Sequence, residues 1–163
     1  MYTQHAKLID AMIEYDKGDA RRIQHFIKVH DLAATIAVLE NADEETTFIL
    51  ETAAILHDIG IHISEAKYGS ASGHYQELEG PAEAEKLMQK VGGYNASQIE
   101  RVMYLIGHHH TYNNIDGIDY QILVEADFLV NLYEDNVSAE AVKNARRQIF
   151  RTSAGTRLLD NMF

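Results

Sequence analysis

Apolar residues recur at intervals of three and four along most of this chain, which is the spacing of an amphipathic α-helix. The clearest example is the stripe formed by Val29, Leu32 and Ile36. No segment shows sustained alternation of apolar and polar residues, the pattern of a half-buried strand. The sequence therefore predicts an all-α fold.

Capping residues and helix breakers divide this pattern into eight predicted helices. The first ends near Gly18, and the predicted N-caps of later helices are Asp19, Asp43, Ser97, Asp119 and Ser138. Pro81 is expected in the first turn of a helix that ends at Val91. Residues 60–79 are rich in Gly, Ser and His and lack a clear period, so we expect a long irregular loop there.

Composition limits the classes of function. The chain has 163 residues, a formal net charge of −11 and no Cys. That length fits one domain, residues 1–163, and the missing thiols exclude disulfides and Cys nucleophiles. The excess of acid argues against binding to a nucleic-acid backbone. No apolar run approaches the ~20 residues of a membrane span, and the first residues do not resemble a signal peptide, so we expect a cytoplasmic protein that does not bind membranes.

Polar residues on apolar helix faces are the main functional signal. His25 lies on the buried stripe of the second predicted helix, His57 and Asp58 end the third, and Asp127 lies on the apolar face of the sixth. A single buried histidine is most often a satisfied core residue, but four such groups on three helices all need partners. If the faces converge, they supply two imidazoles and two carboxylates to a divalent cation, with positions left for water and substrate.

Three motifs carry a family resemblance: His25-Phe26-Ile27-Lys28-Val29, His57-Asp58-Ile59-Gly60 and Glu125-Ala126-Asp127-Phe128-Leu129. In this order they resemble the H…HD…D signature of the HD-domain phosphohydrolase superfamily, over about residues 20–135. The resemblance implies a helical bundle with a metal in its core, held by His25, His57, Asp58 and Asp127. It also implies hydrolysis of phosphomonoesters or phosphodiesters. Lys28 departs from the family, which often has Arg at this position.

A second metal site is a further hypothesis from the resemblance. Two-metal members of the superfamily add a His from an H-P-x-x-G motif and a later His-His pair. The chain has three consecutive histidines at 108–110, of which His109 and His110 are expected to face inward. The H-P-x-x-G position falls on Gln76, so His74 is the nearest substitute. The hypothetical second set is therefore His74, His109 and His110.

The predicted reaction is metal-assisted hydrolysis of a small phosphorylated substrate, a nucleotide or a related phosphate. Asp58 is expected to orient or deprotonate the attacking water, Glu65 to act as a general base and Lys28 to stabilise the phosphoryl group. The predicted substrate-binding residues are Lys67, Gln76 and Tyr112. One or two divalent ions are expected, and nitrogen and oxygen ligands without thiolates favour Mn, Fe, Co, Ni or Mg, with Zn also compatible.

Two other functions fit the same residues. An HD-fold di-iron oxygenase would need both metals as redox-active iron. A non-catalytic module would keep the metal for stability or bind a nucleotide as a signal. In each case the Ala-rich and aromatic surfaces of the last helices could pair two copies of the chain as a homodimer.

Overall fold

A computed structural model describes all 163 residues and contains nine α-helices and no strand. In chain order the helices are α1 (Thr3–Tyr15), α2 (Ala20–Leu39), α3 (Glu44–Leu56), α4 (Ile61–Tyr68), α5 (Gly73–Val91), α6 (Ala96–Ile106), α7 (Ile118–Glu134), α8 (Ala139–Gln148) and α9 (Ser153–Met162). The prediction of an all-α fold is confirmed. None of these helices combines the length and the apolar character that crossing a membrane requires.

The centre of the molecule is the bundle of α2, α3 and α7, which all pack against one another. Helix α3 is buried along its whole second half, where Ala53 and Ala54 let its neighbours approach closely. Helix α6 covers one side of α3 and packs in turn against α5. Helix α1 packs against α3 and α5, and α9 closes the bundle beside α2 and α7. This arrangement brings the polar residues of α2, α3 and α7 into one interior.

Most predicted helix starts agree with the structure. The side chains of Asp19, Asp43 and Ser138 each accept a hydrogen bond from a backbone N–H in the first turn of their helix. Two predicted caps are wrong. Helix α6 is capped by Asn95, in a reciprocal capping box with Gln98, rather than by Ser97.

Asp119, the predicted N-cap of α7, is the second cap that the structure does not support. Helix α7 begins after Gly117, and Asp119 lies in its first turn. The Asp119 carboxylate instead accepts two hydrogen bonds from Arg101 of α6, at 2.7 and 2.9 Å. A long-range ion pair therefore uses the side chain that the local pattern assigned to capping.

The long loop predicted for residues 60–79 is also wrong. This stretch contains α4 and the first turns of α5, joined by a short link after Gly69, which adopts the left-handed conformation that ends α4. Helix α4 buries only Ile61 and Ser64, so its apolar pattern is too short to be read from sequence. Its position is set by packing against α5.

Pro81 lies inside α5 rather than at its start. Proline removes a helical hydrogen bond, so a continuous helix there needs support from its neighbours. Gly60 and Gly80 supply it, because the two backbones touch: a Cβ on Gly60 would lie 2.9 Å from the backbone nitrogen of Gly80. This contact holds α5 against the turn that carries His57 and Asp58.

Candidate metal centre

Four side chains from three helices converge in the middle of the bundle. Nε2 of His25 on α2 lies 3.2 Å from Nε2 of His57, just after α3. The same His25 atom is 3.3 Å from Oδ2 of Asp58 and 3.2 Å from Oδ1 of Asp127 on α7. Nε2 of His57 is 3.5 Å from each of those two carboxylate oxygens. The side chains of all four residues are largely buried.

Hydrogen bonds fix which nitrogen of each imidazole faces the cluster. Nδ1–H of His57 donates to the Ala54 carbonyl at 2.7 Å, one of the carbonyls that the end of α3 leaves unpaired. Nδ1–H of His25 donates to Oε2 of Glu134 at 3.1 Å. In a neutral imidazole the other nitrogen then carries a lone pair. Both Nε2 lone pairs therefore point into the cluster.

Asp127 is positioned in the same way, because Nδ2 of Asn131 donates to its Oδ1 at 2.9 Å. The cluster thus presents two imidazole lone pairs and two carboxylates to one another. Acceptors this close require a shared positive charge, supplied by a proton or a metal ion. Without a metal, protonation supplies it: burial opposes the charged form of His57, but Asp58 and Asp127 outweigh burial and raise the pKa of His57 to about 9.

The spacing and the chemistry of these four atoms fit a divalent cation. Neighbouring ligand atoms in an octahedral site with bonds near 2.1 Å lie about 3 Å apart, and the observed separations are 3.2 to 3.5 Å. Two nitrogens and two carboxylate oxygens suit Mn, Fe, Co, Ni or Zn. The outward hydrogen bonds from His25 and His57 are the kind that orient metal-bound imidazoles.

A second group of three potential ligands adjoins the first: Asp58, His109 and His110. His109 follows α6 as His57 follows α3, and its Nδ1–H likewise donates to a carbonyl three residues earlier, that of Ile106, at 2.7 Å. Its Nε2 is buried without a hydrogen-bond partner and lies 3.6 Å from Oδ1 of Asp58. Asp58 therefore offers one oxygen to each group.

His110 is held by Gln76, whose Oε1 lies 3.0 Å from Nε2 of His110. The amide nitrogen of Gln76 donates to the carbonyl of Ala71 at 2.7 Å, so both ends of this side chain are used inside the protein. Gln76 thus lies beside the second group, where the resemblance led us to look for a histidine. His74 is exposed on α5, packs against the Tyr75 ring and belongs to neither group.

The HD domain family matches residues 22–146, which includes every residue of both groups. The chain belongs to the HD domain family. No curated protein and no solved structure matches the chain. The family prediction made from the three motifs is confirmed, and so is the all-helical fold with a His and carboxylate cluster in its core. The family consists of metal-dependent hydrolases, which is the coarse functional class of this HD domain.

Two cations lie beside the centre of this HD domain. Nη1 of Arg22 is 3.9 Å from Oδ2 of Asp58, and its side chain is 34% exposed. Nζ of Lys28 lies 2.6 Å from Oε1 of Glu134, the residue that orients His25. Arg22 is therefore the cation nearest the cluster, whereas Lys28 contacts it through Glu134.

The remaining predicted site residues lie further out. Glu65 is exposed on α4, 3.7 Å from His62, and Lys67 pairs with Glu79 at 3.0 Å. Tyr112 packs its ring against Phe128. Burial, followed by the charges of Asp127 and Glu77, raises the pKa of Tyr112 to about 12. Glu65 and Lys67 lie at the surface of α4, and none of the three side chains forms a hydrogen bond or an ion pair with a residue of either group.

Sequence analysis missed three residues around the centre: Arg22, Asn131 and Glu134. Each shares a helix face with a predicted ligand: Arg22 lies three residues before His25, and the other two lie four and seven residues after Asp127. Helical spacing from a predicted ligand would have identified them.

Proposed function

We propose that this HD domain is a metal-dependent hydrolase of a small phosphoester, a nucleotide or a related phosphate. The observation that carries the proposal is the convergence of two imidazole lone pairs and two carboxylates on one point in the bundle. Apart from Asn131, which donates to Asp127, no donor other than the imidazoles themselves satisfies these acceptors, whereas a purely structural cluster would be expected to include such donors. Family membership supports the same class of chemistry.

A divalent cation bound here supplies Lewis acidity, which polarises a phosphoryl oxygen and acidifies water. The position of each residue indicates the role that it would have. His25, His57, Asp58 and Asp127 would hold the ion. Asp58 has one oxygen toward each group and would also orient the attacking water.

In this proposal the number of bound ions depends on how many protein ligands each group offers. The first group has four protein ligands and would hold its ion tightly. The second group, Asp58, His109 and His110, has three and would hold an ion more weakly. Nε2 of His109 is a buried lone pair without a partner, and it would serve this second ion.

Arg22 is our choice for the residue that binds the substrate phosphate. Its guanidinium lies at the edge of the centre and is partly exposed, so a phosphate can reach it from solvent. Guanidinium groups bind phosphate through two parallel hydrogen bonds. In a chain with a net charge of −11, this local positive charge and the bound cation would offset the repulsion of an anionic substrate.

Chelation and refilling test the proposal. Protein stripped of metal is refilled separately with Mg²⁺, Mn²⁺, Co²⁺, Ni²⁺ or Fe²⁺ and assayed with and without oxygen. The assays follow phosphate release from nucleoside monophosphates and simple phosphomonoesters, and ring opening of cyclic nucleotides to nucleoside monophosphates. We expect hydrolysis with at least one redox-inert ion and none in stripped protein. Turnover that requires both iron and oxygen would identify the di-iron oxygenase instead. Metal binding without turnover of any phosphoester would identify a binding module.

A further inference from the structure

A second buried cluster of ionisable residues lies away from the HD motifs. His5 of α1, His30 of α2 and Glu51 of α3 are 0%, 6% and 6% exposed. Nε2 of His30 lies 2.9 Å from Oε1 of Glu51, and Nδ1 of His5 lies 3.5 Å from the same oxygen. No lysine or arginine pairs with Glu51. Three helices thus meet at one carboxylate oxygen.

The orientation of His5 is fixed by Thr52 and Phe48. The Thr52 hydroxyl donates its only proton to the carbonyl of Phe48 at 2.9 Å. Nε2 of His5 lies 3.0 Å from that hydroxyl oxygen and 3.2 Å from the carbonyl oxygen, both of which can then only accept. Nε2 of His5 is therefore the protonated nitrogen.

Nδ1 of His5 is consequently left with a lone pair. It is buried, it has no hydrogen-bond partner, and it faces the Glu51 carboxylate. Two acceptors that face each other in a buried site repel unless a positive charge lies between them. This unpartnered nitrogen is the observation that points to a ligand.

We infer that His5, His30 and Glu51 form a separate binding site for a divalent transition-metal ion of the zinc class. Ligand atoms around a tetrahedral zinc with bonds near 2.1 Å lie roughly 3.4 Å apart, and the two measured separations are 2.9 and 3.5 Å. Two histidines and one glutamate complete three positions of such a site. The hydrogen bond from Nε2 of His5 holds its ring as the neighbours of metal-bound histidines do.

The ion would have a structural role. The His5 ring is fully buried and packs against the rings of Tyr2 and Phe48, which close the cluster toward solvent. No residue is shared with the HD groups. The ligands come one from each of α1, α2 and α3, so an ion here fastens the N-terminal helix to the bundle.

The site is tested by measuring metal stoichiometry in a variant whose HD centre has lost its carboxylate ligands. The double variant Asp58→Asn, Asp127→Asn removes both carboxylates of the HD centre, and it is stripped and then titrated with Zn²⁺ alone. We expect this double variant to bind one equivalent of Zn²⁺ and its melting temperature to rise. Adding Glu51→Gln should remove both effects, while adding Glu44→Gln, an exposed glutamate on the same helix, should preserve them. A folded background that binds no zinc, or a Glu51→Gln variant that keeps it, would overturn the inference.

A measurement on the background protein alone covers the case in which Glu51→Gln does not fold. Nitrogen chemical shifts of the histidine rings report ligation directly. Zinc should shift Nδ1 of His5 and Nε2 of His30. Zinc that binds without moving these two nitrogens would place the ion elsewhere and contradict the inferred site.

Discussion

Two clusters of histidines and carboxylates in this protein share helices α2 and α3 and differ in their surroundings. The HD centre uses His25 of α2 and His57 after α3, and the second cluster uses His30 of α2 and Glu51 of α3. In both, hydrogen bonds to outer partners turn imidazole lone pairs inward. The donor chemistry is alike, so it cannot by itself decide what each cluster does.

The HD centre and the second cluster differ in the residues that surround them. At the HD centre Asp58 presents its second oxygen to His109, and the partly exposed Arg22 lies beside it. The second cluster has no cation and is closed by aromatic rings. A site that is to turn over a substrate needs access, open positions and charge for the substrate, whereas a structural site needs none of these. On this difference we propose catalysis for the first cluster and a structural role for the second.

The largest expected effect is on hydrolysis in Asp58→Asn. This change removes the carboxylate that offers one oxygen to each group. We therefore expect phosphate release to fall by about 10³-fold or more, since metal-ion catalysis contributes several kcal/mol. Asp10→Asn, an exposed change on α1, should retain wild-type activity. Steady-state phosphate release measures both. Wild-type turnover in Asp58→Asn would contradict the proposal that the HD centre is the catalytic cluster.

The next largest effect is expected for Arg22→Ala. Losing a charge-assisted hydrogen bond to the substrate costs about 1.5–3 kcal/mol, which is roughly ten- to a hundredfold in kcat/KM. The neighbouring variant Arg21→Ala is a matched control, because Arg21 faces Asp135 and its side chain is 70% exposed. The measurement is kcat/KM for the two variants. Equal losses in both would mean that Arg22 has no specific contact with the phosphate.

A smaller effect, on stability only, is expected for Glu51→Gln in stripped protein. Burial opposes ionisation of Glu51, but the hydrogen bond from His30, followed by the nearby imidazole of His5, prevails and lowers the pKa of Glu51 to about 2. Replacing the carboxylate should reduce the free energy of unfolding by about 1–3 kcal/mol. Urea unfolding measures this change. Phosphate release below the melting temperature should be unchanged, and a loss of activity in the folded variant would show that the two clusters are coupled.

The smallest effect is expected for Asp16→Asn, at the edge of the HD centre. Burial raises the pKa of Asp16 to about 6, above its ordinary value, so the folded state holds this proton more tightly than the unfolded state. The stability that Asp16 contributes is therefore present at low pH and is lost as the pH rises through about 6. Asp16→Asn should be more stable than wild type at pH 7.5, and the difference should shrink as the pH falls toward 4.5.

Urea unfolding of Asp16→Asn and wild type at pH 4.5, 6 and 7.5 measures that difference. Asp10→Asn is again the control, because this carboxylate is exposed on α1. A stability difference that is constant across the three pH values would contradict the assignment to Asp16 ionisation.

The central helices and the first ligand group could be predicted because local and long-range signals agree there. His25, His57 and Asp127 lie on strongly apolar faces, so burial and convergence follow from helical periodicity. Helix α4 could not be predicted, since its eight residues bury only two side chains. Its position depends on the contact of Gly60 with Gly80, which no local pattern reveals.

The outer parts of the site depend on tertiary geometry in the same way. Gln76 holds His110 across thirty-four positions of sequence. His5 and Glu51 meet only because α1 crosses α3. Neither pairing has a spacing rule, and so sequence analysis assigned Gln76 to the substrate and left the cluster of His5 unnoticed. Arg22, Asn131 and Glu134 are different, because helical spacing from a predicted ligand could have identified them.

One titration tests the central claim most directly. Stripped protein is titrated with Mn²⁺ without oxygen, and bound metal and phosphate release are measured in the same sample. The account predicts that hydrolysis is absent at the start and appears as the group of His25, His57, Asp58 and Asp127 fills, with Asp58→Asn showing neither binding at this group nor turnover. Hydrolysis by metal-free protein, or a filled centre that turns over no phosphoester, would contradict it.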